Sequence, residues 1–189
     1  FPYTTLFRSI PGEGGHIDLG PRTRREMEIW PHLAKENGRM SAELAISGRG
    51  LENLHRAIVL SRGERPEPLD AAEISRRAVE GDDGAAREAI DLFVTLFARV
   101  AGDMALLTLA RGGIYVAGGI ILKLLPHIDH ARFRSDFEDK VPHEGIMAGI
   151  PVNVMNHPTA ALEGLAAWVR SPEEFSLEGA TRRFRSPVS

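Results

Sequence analysis

Three short stretches carry residue types that could do chemistry. The first is Glu13-Gly14-Gly15-His16, a carboxylate and an imidazole separated by two glycines. The carboxylate accepts hydrogen bonds and the imidazole donates or accepts them. Paired glycines let the backbone approach a ligand closely and adopt positive φ. A polyhydroxylated ligand needs such a set, although the same loop also reads as a solvated turn with an exposed His. The second is Glu43 in Ser41-Ala42-Glu43, just ahead of Ser47-Gly48-Arg49-Gly50-Leu51. Among apolar neighbours (Met40, Ala42, Leu44, Ala45, Ile46), Glu43 is a surface residue of a helical turn or an acceptor in a cleft; spacing alone favours the surface. The third is Gly112-Gly113-Ile114-Tyr115-Val116-Ala117-Gly118-Gly119-Ile120. An apolar run ending in Gly118-Gly119 and opening into a helix points backbone N–H groups at a ligand, and ligands of α/β sheets gather at the carboxyl ends of strands. The stretch is neither GxGxxG nor a phosphate-binding P-loop, because no Lys-Ser/Thr follows Gly119. Its glycines would equally serve tight helix–strand packing.

Other candidates carry less. His127 and His130 share a helical face at i, i+3, but no carboxylate joins them in an HExxH arrangement, so no metal site is expected. There is no GxSxG elbow. Asp103 lies within a long helical pattern and reads either as a buried polar contact or as a site residue.

The elements that must position these residues follow from periodicity and turn chemistry. Ile10–Gly20 reads as a loop entering a short strand. Thr23, three residues before Glu26, predicts a capping box opening a helix that Pro31 breaks and Gly38 ends. Ser41–Ile46 predicts one helical turn, and Leu51, Leu54, His55, Ile58 and Val59 mark one face of the next helix. Asp70 caps a helix through Val79. After Gly81–Gly84 a long helix from about Ala85 to Ala110 carries Ala86, Ile90, Phe93, Phe97, Val100, Met104 and Leu107 as its stripe. Ile114–Val116 and Pro151–Met155 predict short strands. Helices are expected up to Leu125, over Arg132–Lys140 and over Thr159–Val169. The strand, helix, strand, helix order from Gly112 to Val169 predicts an α/β unit with too few strands for a complete sheet.

The chain has 189 residues, 43% hydrophobic and 26% charged, as in a globular domain, and a formal net charge of -3. That charge gives no basic field for nucleic acid or an anionic membrane, so neither is an expected partner. The absence of cysteine excludes disulfides and thiolate chemistry and suits a cytoplasmic location. The longest apolar stretch, Leu92–Ala110, is interrupted by Arg99 and Asp103 and reads as a buried helix rather than a membrane span. Phe1–Ser9 (FPYTTLFRS) coincides residue for residue with the in-frame translation of a widely used sequencing adapter. These nine residues are therefore expected to be foreign, and the natural sequence to enter near Ile10 with an upstream part missing. The polar residues 171–189 are expected to form a disordered tail.

In order, PGEGGH, SAE, SGxGL, GGxxxAGGI, FRSDFEDK (Phe133–Lys140) and IPVNVMNHPTAALEG (Ile150–Gly164) closely resemble the C-terminal part of bacterial glucokinases, across Ile10 to about Val169. The resemblance implies an α/β fold: a helix-rich, incomplete C-terminal lobe of an actin-like ATPase (RNase H-like) fold over residues 10–170. It implies transfer of the γ-phosphoryl group of ATP, with Mg2+, to the 6-hydroxyl of glucose. Glu13, His16 and Glu43 would line the sugar pocket, and Gly118 and Gly119 would face the adenosine. The family's phosphate-binding glycine loops and the Asn-Asp pair holding its catalytic aspartate have no counterpart here, so no catalytic residue is assigned and the chain alone is expected to be inactive. Arg49 stands where the family often has Pro. The lack of cysteine sets the chain apart from relatives with a cysteine-rich zinc motif. A homodimer is implied for the intact protein. The alternatives are a non-catalytic sugar-binding or regulatory protein on the same fold, and a kinase for another hexose.

Overall fold

The computed structural model of the chain describes residues 7–9, 12–157, 159–171 and 175–177. They fall into two units, Gly14–Val154 and the combination of residues up to Glu13 with those from Met155 onward.

The larger unit is built around its longest helix. After a 3-10 turn at Gly14–His16 come α1 (Arg24–Ile29), α2 (Glu43–Ile46), α3 (Gly48–Ser61), α4 (Ala71–Glu80) and α5 (Gly84–Thr108). Strand β2 (Ile114–Val116), α6 (Gly119–Leu124), α7 (His130–Glu138), α8 (Glu144–Ala148) and β3 (Val152–Val154) complete it. Side-chain caps start the principal helices: Thr23 for α1, Ser47 for α3, Asp70 for α4 and Asp83 for α5. Each supplies an acceptor to a backbone N–H that would otherwise lack one. α5 packs against α3, α4 and α7. Its Phe93 and Leu96 are fully buried with Leu51, Leu54 and Ile58 of α3 and Ile74 of α4. Truncating a buried Phe to Ala in such a core costs about 3–5 kcal/mol.

The polar residues of α5 tie it to what surrounds it. Arg99 makes a bidentate pair with Glu26 of α1 at 2.8 and 2.9 Å, both side chains buried. Glu26 also accepts the Arg22 N–H at 2.7 Å. Burial alone would raise the Glu26 carboxyl, but the Arg99 guanidinium and the Arg22 and Thr23 hydrogen bonds hold it below its ordinary value. One turn on, Asp103 takes the buried Lys140 ammonium at 2.9 Å, and Lys140 also donates to the Arg99 carbonyl. Thr95 donates to Asp136 of α7 at 2.8 Å. Asp103 is thus an ion-pair partner, and the two charges that interrupt the apolar run of α5 anchor α1 and the segment after α7.

β2 and β3 pair in parallel, Ile114 opposite Val152 and Val116 opposite Val154, with α6–α8 in the crossover. A parallel pair needs such a long connection. Gly113 enters β2 at φ +109, where a Cβ would lie 3.0 Å from the Pro151 ring, so only glycine fits.

Several expectations are corrected. The break expected at Pro31 is present, α1 stopping at Ile29 and a 3-10 turn, Trp30–His32, following around Pro31, but the helix does not resume up to Gly38. Asn37 and Gly38, both at positive φ (50° and 80°), instead form a tight hairpin turn. Ala86, Ile90, Phe93 and Val100 of the expected α5 stripe are buried, but Leu107 is 78% exposed, in the last turn of a helix that ends at Thr108. α8 has too short an apolar pattern to be expected from sequence.

In the smaller unit, β1 (Phe7–Ser9) pairs in parallel with β4 (Phe175–Leu177), and α9 spans Ala160–Arg170. β1 lies within the nonapeptide and β4 within the segment expected to be a tail; residues 1–6, 172–174 and 178–189 lie outside the described residues. Leu162, Leu165 and Val169 of α9 are exposed. Among the described residues no helix is long and apolar enough to cross a membrane.

Candidate functional site

Two segments far apart in the first quarter of the chain meet at the candidate site. The segment after the Gly14–His16 turn runs antiparallel to the one leading into α2: Leu19 N–H donates to the Met40 carbonyl (2.9 Å) and Ala42 N–H to the Ile17 carbonyl (3.0 Å). Asp18 and Ser41 face each other in this bridge. The tight turn at Asn37-Gly38 closes the second segment on itself, Glu36 and Arg39 exchanging backbone hydrogen bonds at 3.1 and 2.9 Å. Two consecutive residues at positive φ define a type I′ turn, which Asn-Gly favours; the dipeptide was the signal for this hairpin, and a reading of Gly38 as a helix stop passed over it.

The bridge delivers Glu43, the first residue of α2, to the glycine turn. A Cβ on Gly15 would lie 3.4 Å from Glu43 Oε2, and one on Gly14 would lie 3.1 Å from Met104 Sδ of α5. The two glycines are thus set between α5 and the Glu43 carboxylate. Neither has positive φ, a correction to the sequence-based reading; what marks them is close approach to the Glu43 and Met104 side chains. His16 and Glu43 are exposed, and among the described residues no hydrogen bond or ion pair engages either side chain. Glu13 is also exposed; it belongs to the other unit and precedes the turn in the chain.

Glu43 also lines an open groove of about 570 Å³ with Glu36, Ser47, Arg49 and Asn53. His16 is not among the walls of that groove. The floor is rigid: Asn53 receives the Ala34 N–H and donates to the Ala34 and Leu44 carbonyls. Ser47 accepts the Gly50 N–H at 3.0 Å. A Cβ on Gly50 would fall 2.4 Å from the Ala45 carbonyl carbon, so the α2–α3 corner requires glycine there. Arg49 sits in the first turn of α3 with its side chain exposed. Proline is also tolerated in a first helical turn, where the N–H has no partner within the helix.

Gly118 and Gly119 lie at the other candidate position, between β2 and α6. Gly118 has φ +133, and neither position has an atom within 4 Å of a would-be Cβ. Both are exposed to solvent. Among the described residues no group of three or more His, Asp or Glu side chains could hold a metal ion. An Mg2+ ion carried by nucleotide phosphates needs only one or two carboxylates from the protein.

The family model described as Glucokinase matches residues 3–172. The chain belongs to the glucokinase family. Its family match begins inside the nonapeptide. A glucokinase of Sinorhizobium fredii is 50% identical over 177 residues, covering 94% of this chain and 52% of the relative. One of Sinorhizobium medicae is 49% identical over 176 residues, with 93% and 52% covered. The chain thus spans about half the length of the curated relatives it matches. Among solved structures, glucokinase from an Antarctic psychrotroph superposes with a TM-score of 0.77 at 30% identity, over 85% of this chain and 50% of that one. Glucokinase from Balamuthia mandrillaris in complex with glucose gives 0.66 at 22% identity, over 79% and 44%. The helix-rich α/β fold with its two-stranded parallel sheets is that of part of a glucokinase.

Proposed function

We propose that this chain forms the sugar-binding and adenosine-facing part of an ATP-dependent glucose kinase. The observation that carries the reading is the antiparallel bridge that sets the Glu43 carboxylate against Gly15, next to His16. In this reading Glu13 and Glu43 accept hydrogen bonds from sugar hydroxyl groups and His16 adds a donor or acceptor. Hydrogen bonds to carboxylates are short and strong. A site built on them discriminates against sugars lacking a hydroxyl, because its own charged acceptors would be left unpaired. Gly118 and Gly119 present bare backbone to the adenosine of ATP.

The reaction moves the terminal phosphoryl group from ATP to the glucose 6-hydroxyl. The new O–P bond forms as the bond to the β-phosphate oxygen breaks, the hydroxyl proton is released, and ADP leaves. Phosphoryl transfer depends on positioning and charge stabilisation. What these residues supply is positioning: they hold the sugar while groups not assigned in this chain take the proton and stabilise the phosphoryl oxygens. Mg2+, a cytoplasmic location and a homodimer belong to the same proposal and rest on family resemblance.

Calorimetry with glucose tests the reading. The chain is expected to bind glucose, and Glu43→Gln to weaken binding by about tenfold or more without lowering thermal stability, because the carboxylate has no partner among the described residues. Equal affinity in the variant would overturn the role of Glu43. Steady ATP-dependent glucose phosphorylation by the chain alone would overturn the assignment of transfer groups elsewhere. Binding of another hexose in preference to glucose would favour a kinase of different specificity.

A further inference from the structure

The turn that presents His16 is held in place by one exposed arginine. Arg39 directly follows the Asn37-Gly38 turn. It donates through Nε to Asp18 Oδ1 at 2.9 Å, and through a terminal nitrogen to the His16 carbonyl, also at 2.9 Å. The same terminal nitrogen lies 2.8 Å from Asp18 Oδ1. Among the described residues no other side chain hydrogen-bonds to residues 14–17. The remaining restraints there are the backbone bond from Ile17 to Gly14, long at 3.5 Å, and the bridge bonds at Ile17 and Leu19.

We infer that Arg39 is a positioning residue for the sugar site: its guanidinium fixes the His16 peptide, and with it the direction of the imidazole relative to Glu43. The inference rests on the sugar-binding reading of His16 and Glu43. The geometry suits the function because Arg39 and Glu43 lie on one continuous segment, from the I′ turn through the bridge into α2. A fork at the start of that segment, gripping a carbonyl on the opposite strand, locks the two halves of the site together. Arg fits this role better than Lys, because its planar fork satisfies two acceptors in fixed geometry, whereas an ammonium acts as a single mobile charge. The guanidinium is 58% exposed and its Asp18 partner 78% exposed. An exposed pair of this kind adds little to stability, which separates a positioning role from a folding role.

The test compares the unsubstituted 189-residue chain with Arg39→Ala, Arg39→Lys, His16→Ala and the double variant His16→Ala/Arg39→Ala. Glucose titrations are followed by calorimetry, and amide exchange at His16 and Ile17 is followed by NMR without sugar. Arg39→Ala is expected to weaken glucose binding about tenfold, a cost in line with small misplacements of a binding group. It should speed exchange at Ile17 and shift the melting temperature by less than about 2 °C. Arg39→Lys should recover part of the affinity. In the His16→Ala background, Arg39→Ala should cost nothing further, because the group it positions is gone. The clamp is overturned if Arg39→Ala binds glucose as tightly as the unsubstituted chain, if its penalty persists undiminished without His16, or if affinity falls only in step with a large loss of thermal stability. If the unsubstituted chain binds no glucose, the sugar reading itself fails. The clamp is then judged by exchange at Ile17, and unchanged exchange in Arg39→Ala overturns it.

Discussion

Gly118 and Gly119 differ in what they demand of their position, and the difference makes the nucleotide assignment testable. Gly118 sits at φ +133, a conformation that strains any side chain by about 1–3 kcal/mol. Substitution there would confuse strain with ligand contact. Gly119 is free of that problem: it is the first residue of α6, in helical geometry, with nothing within 4 Å of its would-be Cβ. Leucine is a better helix former than glycine, so Gly119→Leu should leave the melting temperature unchanged or raise it slightly. If this backbone faces the adenosine, the same side chain blocks the ligand, and ADP binding measured by calorimetry should fall at least about tenfold. Unchanged ADP affinity would remove Gly119 from the nucleotide site. Sequence reading reached these glycines because paired glycines flanking an apolar run are a local signal. It could not reach Arg39, whose partners His16 and Asp18 are 23 and 21 residues away.

Secondary elements with local punctuation were legible, and those defined by partners were not. Asp83, the cap of α5, was passed over within the Gly81–Gly84 break, whereas Asp70 and Thr23 were readable as caps because a cap acts over three residues. Likewise, Ile114–Val116 and Val152–Val154 stood out between glycine and proline breaks. The α2–α3 corner shows the other case. Ser47 is the cap of α3 and Gly50 lies inside the helix, required by the Ala45 backbone rather than by its own φ. Gly50→Ala is therefore expected to cost more than the 1 kcal/mol or so that glycine-to-alanine gains in an ordinary helix. With a Cβ placed 2.4 Å from a backbone carbon, α2 must shift, and overpacking of this kind costs about 1–3 kcal/mol. Urea denaturation gives the stability change. Because α2 begins with Glu43, glucose affinity should fall with it. Arg99 makes the complementary point about α5. In sequence it marks a charge that keeps the helix out of a membrane; in the structure it is half of a buried pair with Glu26. Arg99→Met removes one partner and strands the other, so a loss of about 3–5 kcal/mol is expected by the same measurement.

At the scale of the whole molecule, two of the buried titratable groups, Glu26 and His55, make stability depend on pH in successive steps. His55 of α3 is 4% exposed. Burial, with Arg77 and Arg62 nearby, holds its imidazole below the ordinary value of 6.5 despite the opposing pull of Asp83 and Glu67. The unfolded chain thus takes up this proton at higher pH than the folded one, and stability rises with pH wherever the unfolded state binds more protons. The contribution is complete above about pH 6.5 and is lost as pH falls through the lower folded-state value. Glu26 follows at lower pH. Its folded-state carboxyl lies below the ordinary 4.5, so the stability it contributes is present above that value and is lost as pH falls further. Glu88, held down by Arg25 and Arg62 against the effect of burial, and Asp83, held down by the Ala86 and Ala85 N–H groups, act in the same direction. Urea midpoints measured from pH 8 to pH 3 should therefore decline in two stages. His55→Gln should flatten the upper stage and leave the lower one in place, whereas Glu26→Gln should start from lower stability at neutral pH and flatten the lower stage. A His55→Gln profile parallel to that of the unsubstituted chain between pH 7 and pH 5 would show that the buried imidazole does not control the upper stage.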